Sequence, residues 1–320
     1  LAKKINDIGL KFGLWFEPEM TNKDSDLYRA HPDWILHTPG RNASHGRYQY
    51  VLDFSRKEVV EYIYEMMAKI LSEAKVSYIK WDMNRSITEC YSVALPADRQ
   101  GEVFHRYILG VYDLYERLTS EFPEVLFESC SSGGGRFDPG MLYYAPQGWT
   151  SDDSDAIERL KIQYGTSLCY PISSMGSHVS VIPNHQVFRK TPLHTRANVA
   201  YFGTFGYELD LNSLKEEEIA EVKEQIIFMK KYRKLFQFGD FYRLKSPFEG
   251  NETIWMVVSE DKKTAIVGYY RTLNGVNQAY SRIKLQGLDP DMLYENILNK
   301  TENYGDELMN FGLITTDVTA

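Results

Sequence analysis

Short apolar runs alternate with amphipathic helical stretches between residues 12 and 235, and a polar cluster closes nearly every run. The runs KFGLWFEPEM, VSYIKWD, VLFES, GWTSDD, YPISSMGSHVS and FGYELDL predict strands near Phe12, Tyr78, Phe127, Trp149, Ile172 and Tyr207. Helices fill the gaps: residues 56–74, where helical periodicity puts Val59, Ile63, Met66, Met67 and Ile70 on one face, then 102–120, a stretch from near Asp155, 193–200 and a long charged helix over 215–235. Strands alternating with helices make a parallel sheet. Two architectures satisfy this, an open doubly wound sheet and a closed (β/α)8 barrel. Polar groups after nearly every strand (Glu17, Asp82, Cys130, Asp152, His178, Glu208) favour the barrel, because a doubly wound sheet gathers such groups at one switch point. Six strands rather than eight imply two further βα units upstream, in keeping with a start at Leu1 inside an amphipathic helix, LAKKINDIGL, that ends at Gly9.

The stretch 21–50 is polar, aromatic and irregular, and its length marks it as a functional connection. From Gly239 the pattern changes to ETIWMVVSED, KTAIVGYYR and SRIKLQGL, which predicts a small antiparallel β-domain. The expected partition is therefore a partial (β/α)8 barrel over 1–238 and a β-sandwich-like domain over 239–320. A net charge of −8 without a Lys/Arg stripe argues against nucleic acid as a partner. No run approaches a membrane span, and three cysteines without CxxC spacing suggest neither a disulfide framework nor a thiolate metal site. The expected location is cytoplasmic. Aromatic residues make up 14% of the chain, and rings with polar edges suit stacking on sugars.

Asp82 in YIKWDMNRS ends an apolar strand, where barrel enzymes build their active sites. Lys80 has the same side-chain parity, so its ammonium is expected beside Asp82, favouring an ionised carboxylate suited to a nucleophile. A structural ion pair is the alternative. SDDSDA supplies Asp152, Asp153 and Asp155, of which Asp155 or Ser154 suits a helix N-cap; Asp152, nearest the strand end, is the preferred general acid, with the other two left open. CSSGGGRFDPG follows a strand with three glycines that would let a ligand approach the backbone, although no phosphate-loop motif is present. Cys130 as a nucleophile, with His178 or His185 as base, lacks any thiolate-stabilising neighbour, so a small buried lining residue is the better reading. His178, His185 and His194 match no metal-ligand spacing. Trp15, Trp81 and Trp149 near strand ends could be core or could rim a sugar site. Two carboxylates in this setting suggest retaining glycoside hydrolysis.

KFGLWFEPEM, YIKWDMNRS, FESCSSGGGRFDPG and WTSDDSDAIERLKIQYG, in this order, resemble the barrel of bacterial α-galactosidases of glycoside hydrolase family 36, and the β-rich tail resembles that family's C-terminal domain. The resemblance implies that Asp82 is the nucleophile forming a covalent galactosyl-enzyme and Asp152 the acid/base. It implies sugar contacts for Trp15, Arg47, Lys80, Cys130 and Gly133, and neither cofactor nor metal. Its implied substrates are terminal α-galactosides such as raffinose-family sugars and melibiose, and the full-length protein is expected to be a homo-oligomer. In the family, an aspartate pair selecting galactose and a β-sandwich domain would lie before Leu1. A same-family α-N-acetylgalactosaminidase, a galactosyltransferase, or a sugar-binding protein without catalysis are the alternatives.

Overall fold

A computed structural model describes residues 1–277, 280 and 282–315. Two compact units divide the chain, Leu1–Asp152 and Asp153–Ala320.

In the first unit, helix α1 (Ala2–Asp7) leads into strand β1 (Gly13–Phe16). The stretch expected to be irregular contains a short antiparallel pair, β2 (Met20–Asn22) with β3 (Gln49–Val51), and helix α2 (Asp26–Ala30) between them. Three-residue strands carry too little alternation to stand out in a polar sequence. Helix α3 (Lys57–Glu73) buries Val59, Val60, Ile63, Met67 and Leu71, whereas Met66 and Ile70 from the expected apolar face are exposed. Strand β4 (Tyr78–Trp81), helix α4 (Val103–Glu121), strand β5 (Leu126–Ser129), helix α5 (Pro139–Tyr144) and the two-residue strand β6 (Gln147–Gly148) come next.

The four parallel strands run in the order β1-β4-β5-β6, so each successive βα strand is added on the same side. That is the progression of a barrel; a doubly wound sheet reverses direction at its switch point. The core lies between this sheet and the paired helices α3 and α4, with Ile79, Trp81, Tyr107, Tyr115 and Phe127 among its deepest side chains.

In the second unit, helix α6 (Ala156–Thr166) starts at Asp155, whose carboxylate accepts from the amides of Ile157 and Glu158. This N-cap was one of the two expected. The strand expected near Ile172 is displaced: Ile172–Ser174 is a 3-10 turn, and β7 covers Gly176–Ser180. Pro171 fixes the turn's entry, and the Ser174 amide donates to its carbonyl at 3.0 Å, so the residues after the proline close a turn before the ladder of β7 begins. Helix α7 (Leu193–Ala200) connects β7 to the parallel strand β8 (Thr204–Glu208), which leads into α8 (Glu216–Phe238). His178 Nδ1 lies 3.3 Å from Glu208 across this strand pair.

Strands β9 (Asp240–Lys245), β10 (Glu252–Val258) and β11 (Ala265–Arg271) form an antiparallel sheet with β10 in the middle and buried throughout. Trp255 projects towards Phe202, Phe241 and Tyr270, while Ile254, Met256 and Val258 meet Ile283, Leu285 and Leu308 on the other face. Two short antiparallel pairs, Arg282–Ile283 with Leu313–Ile314 and Leu293–Asn296 with Thr301–Tyr304, and helix α9 (Gly305–Asn310) complete the described residues. Residues 316–320 of the expected β-domain lie outside the described residues.

Candidate active site

The parallel ladder continues past the strand ends and fixes the residues just beyond them. The Asp82 amide donates to Phe16 O at 2.8 Å, the Cys130 amide to Trp81 O at 2.7 Å and the Trp149 amide to Ser129 O at 2.9 Å. The first residues after β4, β5 and β6 are thereby brought to one end of the sheet.

Asp82 is 6% exposed. Its Oδ1 accepts from the Met83 amide at 2.9 Å, and its Oδ2 accepts from Asn84 Nδ2 at 2.7 Å and from Trp15 Nε1 at 3.2 Å. Three donors compensate for the water that burial removes. Trp15, at the end of β1, is 50% exposed, so its ring is open while its N–H orients the carboxylate. Asn84 was missed as a functional residue, although a side-chain amide two positions beyond an aspartate is within reach of it.

Lys80 does not make the expected ion pair. It shares a direction with Tyr78, and its Nζ is 2.8 Å from Glu128 Oε1, with Tyr78 OH donating to the same buried carboxylate. The ammonium also lies 4.6 Å over the Trp149 ring. Register explains this: Lys80 stands opposite Glu128 on the neighbouring strand, whereas Asp82 has already left the strand.

Cys130 is buried after β5. Burial, reinforced by the nearby Asp82 carboxylate, pushes its thiol up to about 12 and outweighs the opposing pull of Lys80. Such a thiol stays protonated and can donate to Asp82; it is no nucleophile at neutral pH.

The three glycines after Cys130 accommodate the chain itself. Gly133 has φ +81°, and a Cβ there would sit 2.7 Å from the Asp152 amide nitrogen and 2.8 Å from Ser151 Cα. One at Gly134 would collide with Thr150 O. The Cβ side of Gly133 and Gly134 is taken by the loop after β6, which brings the exposed Asp152 beside the Cys130 loop.

Beneath these groups lies a buried ion pair that no sequence motif announced. Arg136, the residue after GGG, places its two terminal nitrogens on Glu19 at 2.9 and 2.7 Å, and Trp81 Nε1 and Tyr107 OH also donate to this carboxylate. Burial alone would raise the Glu19 carboxyl; Arg136 and the other donors outweigh it and hold it below the usual range. Trp81 is fully buried and stacks on Tyr115 with centroids 4.0 Å apart, and Trp149 is buried too, so of the three indoles only Trp15 is open.

Arg47 comes from the loop between α2 and β3. Its Nη1 is 3.4 Å from Glu17 Oε1, and Glu17 also accepts from Gln49 Nε2 and the Asn84 amide. Arg47 and the next residue, Tyr48, have φ of +52° and +62°, a left-handed pair that bulky side chains rarely adopt. The loop is clasped to the segment after β4. Glu89 accepts from the Ser44 and Thr38 amides and lies 2.9 Å from His37 Nδ1, and Arg85 Nη1 donates to Ser44 O and Gln49 O. These donors outweigh the burial that would raise the Glu89 carboxyl and lower it to about 2.

Among the described residues, no group of three or more His, Cys, Asp or Glu side chains could hold a metal ion, and no helix is long and apolar enough to cross a membrane. The chain's three cysteines are all free.

Residues 1–239 match the Melibiase family model, and residues 252–319 match that of the glycosyl hydrolase family 36 C-terminal domain. The chain is 57% identical over 313 residues to alpha-galactosidase AgaA of Geobacillus stearothermophilus, covering 98% of this chain and 43% of that protein. It is 52% identical to alpha-galactosidase Mel36A of Lactobacillus acidophilus, covering 97% and 42%. The crystal structure of AgaA superimposes with a TM-score of 0.97 at 55% identity, covering all of this chain and 44% of that one. The chain thus spans about two fifths of the length of the curated relatives it matches. Its fold class is the (β/α)8-type barrel, with four parallel βα strands in the first unit and two in the second among the described residues, followed by an antiparallel β-domain. With its residues 1–239 and 252–319 both matched, the chain belongs to the Melibiase family of glycosyl hydrolases, with the C-terminal domain of glycosyl hydrolase family 36.

Proposed function

We propose that the protein carrying this chain is a retaining α-galactosidase that removes terminal α-galactosyl residues from oligosaccharides such as raffinose, stachyose and melibiose. The observation that carries this reading is Asp82, a buried carboxylate oriented by Trp15 Nε1 and Asn84 Nδ2, with a second carboxylate, Asp152, on the neighbouring glycine-packed loop. The named relatives support it, since they are alpha-galactosidases and AgaA variants form complexes with raffinose and stachyose. The aspartates substituted in those two complexes are 70 positions apart in that chain, the separation of Asp82 and Asp152 here.

In the first step an Asp82 oxygen attacks the anomeric carbon as the glycosidic C–O bond breaks, and Asp152 delivers its proton to the departing oxygen. In the second, Asp152 takes a proton from water, the water oxygen attacks the same carbon, and the ester to Asp82 breaks. Trp15 offers its open ring to the sugar. Arg47, the ammonium protons of Lys80 not given to Glu128, the Cys130 thiol and the Gly133 backbone serve as sugar contacts. No metal or cofactor takes part. The same reading includes a cytoplasmic location, a homo-oligomeric full-length protein without nucleic-acid or membrane partners, and a catalytic barrel ending near 238 with a β-domain from 239.

The test is Asp82→Asn in the full-length protein. Galactose release from raffinose is expected to fall roughly 10³-fold or more with little change in melting temperature. A variant that retains near-normal turnover overturns the assignment. Asp152→Ala is expected to lose raffinose hydrolysis yet still release fluoride from α-galactosyl fluoride, whose leaving group needs no proton.

A further inference from the structure

Glu128 is a buried carboxylate for which the two-aspartate chemistry has no use. It stands in a row that crosses four strands: in the parallel register Trp15 lies opposite Lys80, Lys80 opposite Glu128, and Glu128 opposite Gln147. Residues aligned in this way project from the same face of the sheet. The first two are assigned to the sugar, and the last two support them from the side. Glu128 Oε1 accepts from Lys80 Nζ at 2.8 Å, while Oε2 accepts from Gln147 Nε2 at 3.2 Å and from Tyr78 OH. Gln147 Nε2 also donates to Tyr78 OH at 2.6 Å, so the carboxylate is held from both neighbouring strands.

The Glu128 side chain is 3% exposed and that of Lys80 is 26% exposed, so the acid is enclosed while the ammonium reaches the open side. The Trp149 ring, 4.6 Å from Nζ, closes a second side. A lysine ammonium is a point charge on a flexible four-carbon stem with three donors. With one donor on Glu128 and an indole against it, the direction of the others is set. Stability gives no reason for such a pair, because apolar residues of the same volume often serve a core as well. A competing partner is close by: Lys80 and Asp82 both act on the Cys130 thiol, in opposite senses. An ammonium released from Glu128 is free to turn to Asp82, and a carboxylate tied up in an ion pair is a poorer nucleophile. We propose that Glu128 is a positioning residue for the reaction, which holds the Lys80 ammonium towards the sugar hydroxyls and off Asp82. The proposal rests on the α-galactosidase reading of the site.

The test is a double-mutant cycle in the full-length protein, read as kcat/KM for an aryl α-galactoside. Glu128→Gln keeps the size and one acceptor oxygen but removes the charge. It is expected to lower kcat/KM about tenfold beside Lys80 and by no more than about twofold in the Lys80→Met background, since a group that acts through the ammonium has nothing left to orient there. A merely structural role costs the same factor in both backgrounds and overturns the proposal, as does the absence of any loss beside Lys80. Tyr78→Phe takes one donor from Glu128, leaves its charge in place and gives the same comparison should Glu128→Gln not fold. A loss that disappears in Lys80→Met supports the proposal; an equal loss in both backgrounds, or none, overturns it. If the unsubstituted protein does not turn over the galactoside, the α-galactosidase reading falls and this role with it, whereas normal turnover with additive losses overturns the role of Glu128 alone.

Discussion

A methyl group at residue 133 would have to occupy space held by the backbone of Ser151 and Asp152, in a left-handed conformation that alanine adopts at a cost. Gly133→Ala is therefore expected to destabilise the protein by roughly 1–3 kcal/mol from strain alone and to shift Asp152. Turnover should fall further than substrate affinity, and unchanged kcat with unchanged melting would refute this account of the glycine. Cys130 allows a second check. With its thiol pushed up to about 12 it should resist alkylation at pH 8, whereas the exposed Cys169 reacts. Peptide mapping that finds Cys130 labelled first would contradict the buried, protonated thiol. At this scale Asp82 and Cys130 were legible because each comes directly after a short stretch that reads as a strand, YIKW and VLFES. The partner of Lys80 was not, because parity gives a direction along one strand and says nothing of Glu128 on the next.

The elements that position the site are connections as much as strands. Glu89 and Arg85 hold the Arg47 loop against the segment after β4, so Arg47 depends on bonds made about 40 residues away in sequence. The folded Glu89 carboxyl titrates at about 2, below its unfolded value. Its contribution, up to about 3 kcal/mol, is thus fully present above about pH 4.5 and is lost as pH falls towards 2. Urea unfolding of Glu89→Gln beside the unsubstituted protein should show a stability gap at pH 6 that narrows at pH 3; a constant gap would exclude this linkage. Helix α3 was readable from its period, which repeats over several turns, and α8 from its length and charge. The β2–β3 pair and the turn at Ile172–Ser174 were not, because three residues carry no period and their conformation is set by neighbours.

For the whole molecule, β1 and β6 each pair on one side only in the first unit's sheet, and β7 and β8 pair only with each other in the second, among the described residues. Open strand edges invite pairing with another chain. The 320-residue chain expressed alone is expected to self-associate with rising concentration in sedimentation, and a monomer at all concentrations would argue against exposed edges. The sequence by itself determined the alternation of strand and helix, the β-rich tail, the two aspartate motifs and the family resemblance, because these reside in local period and in ordered short motifs. Only the tertiary structure decided which groups meet: Lys80 with Glu128, Arg136 with Glu19, Gly133 with the Asp152 backbone, and Arg47 with Glu17. Each of these pairs spans at least 19 positions, and a separation of that size is closed by sheet register and loop packing, which no local pattern encodes.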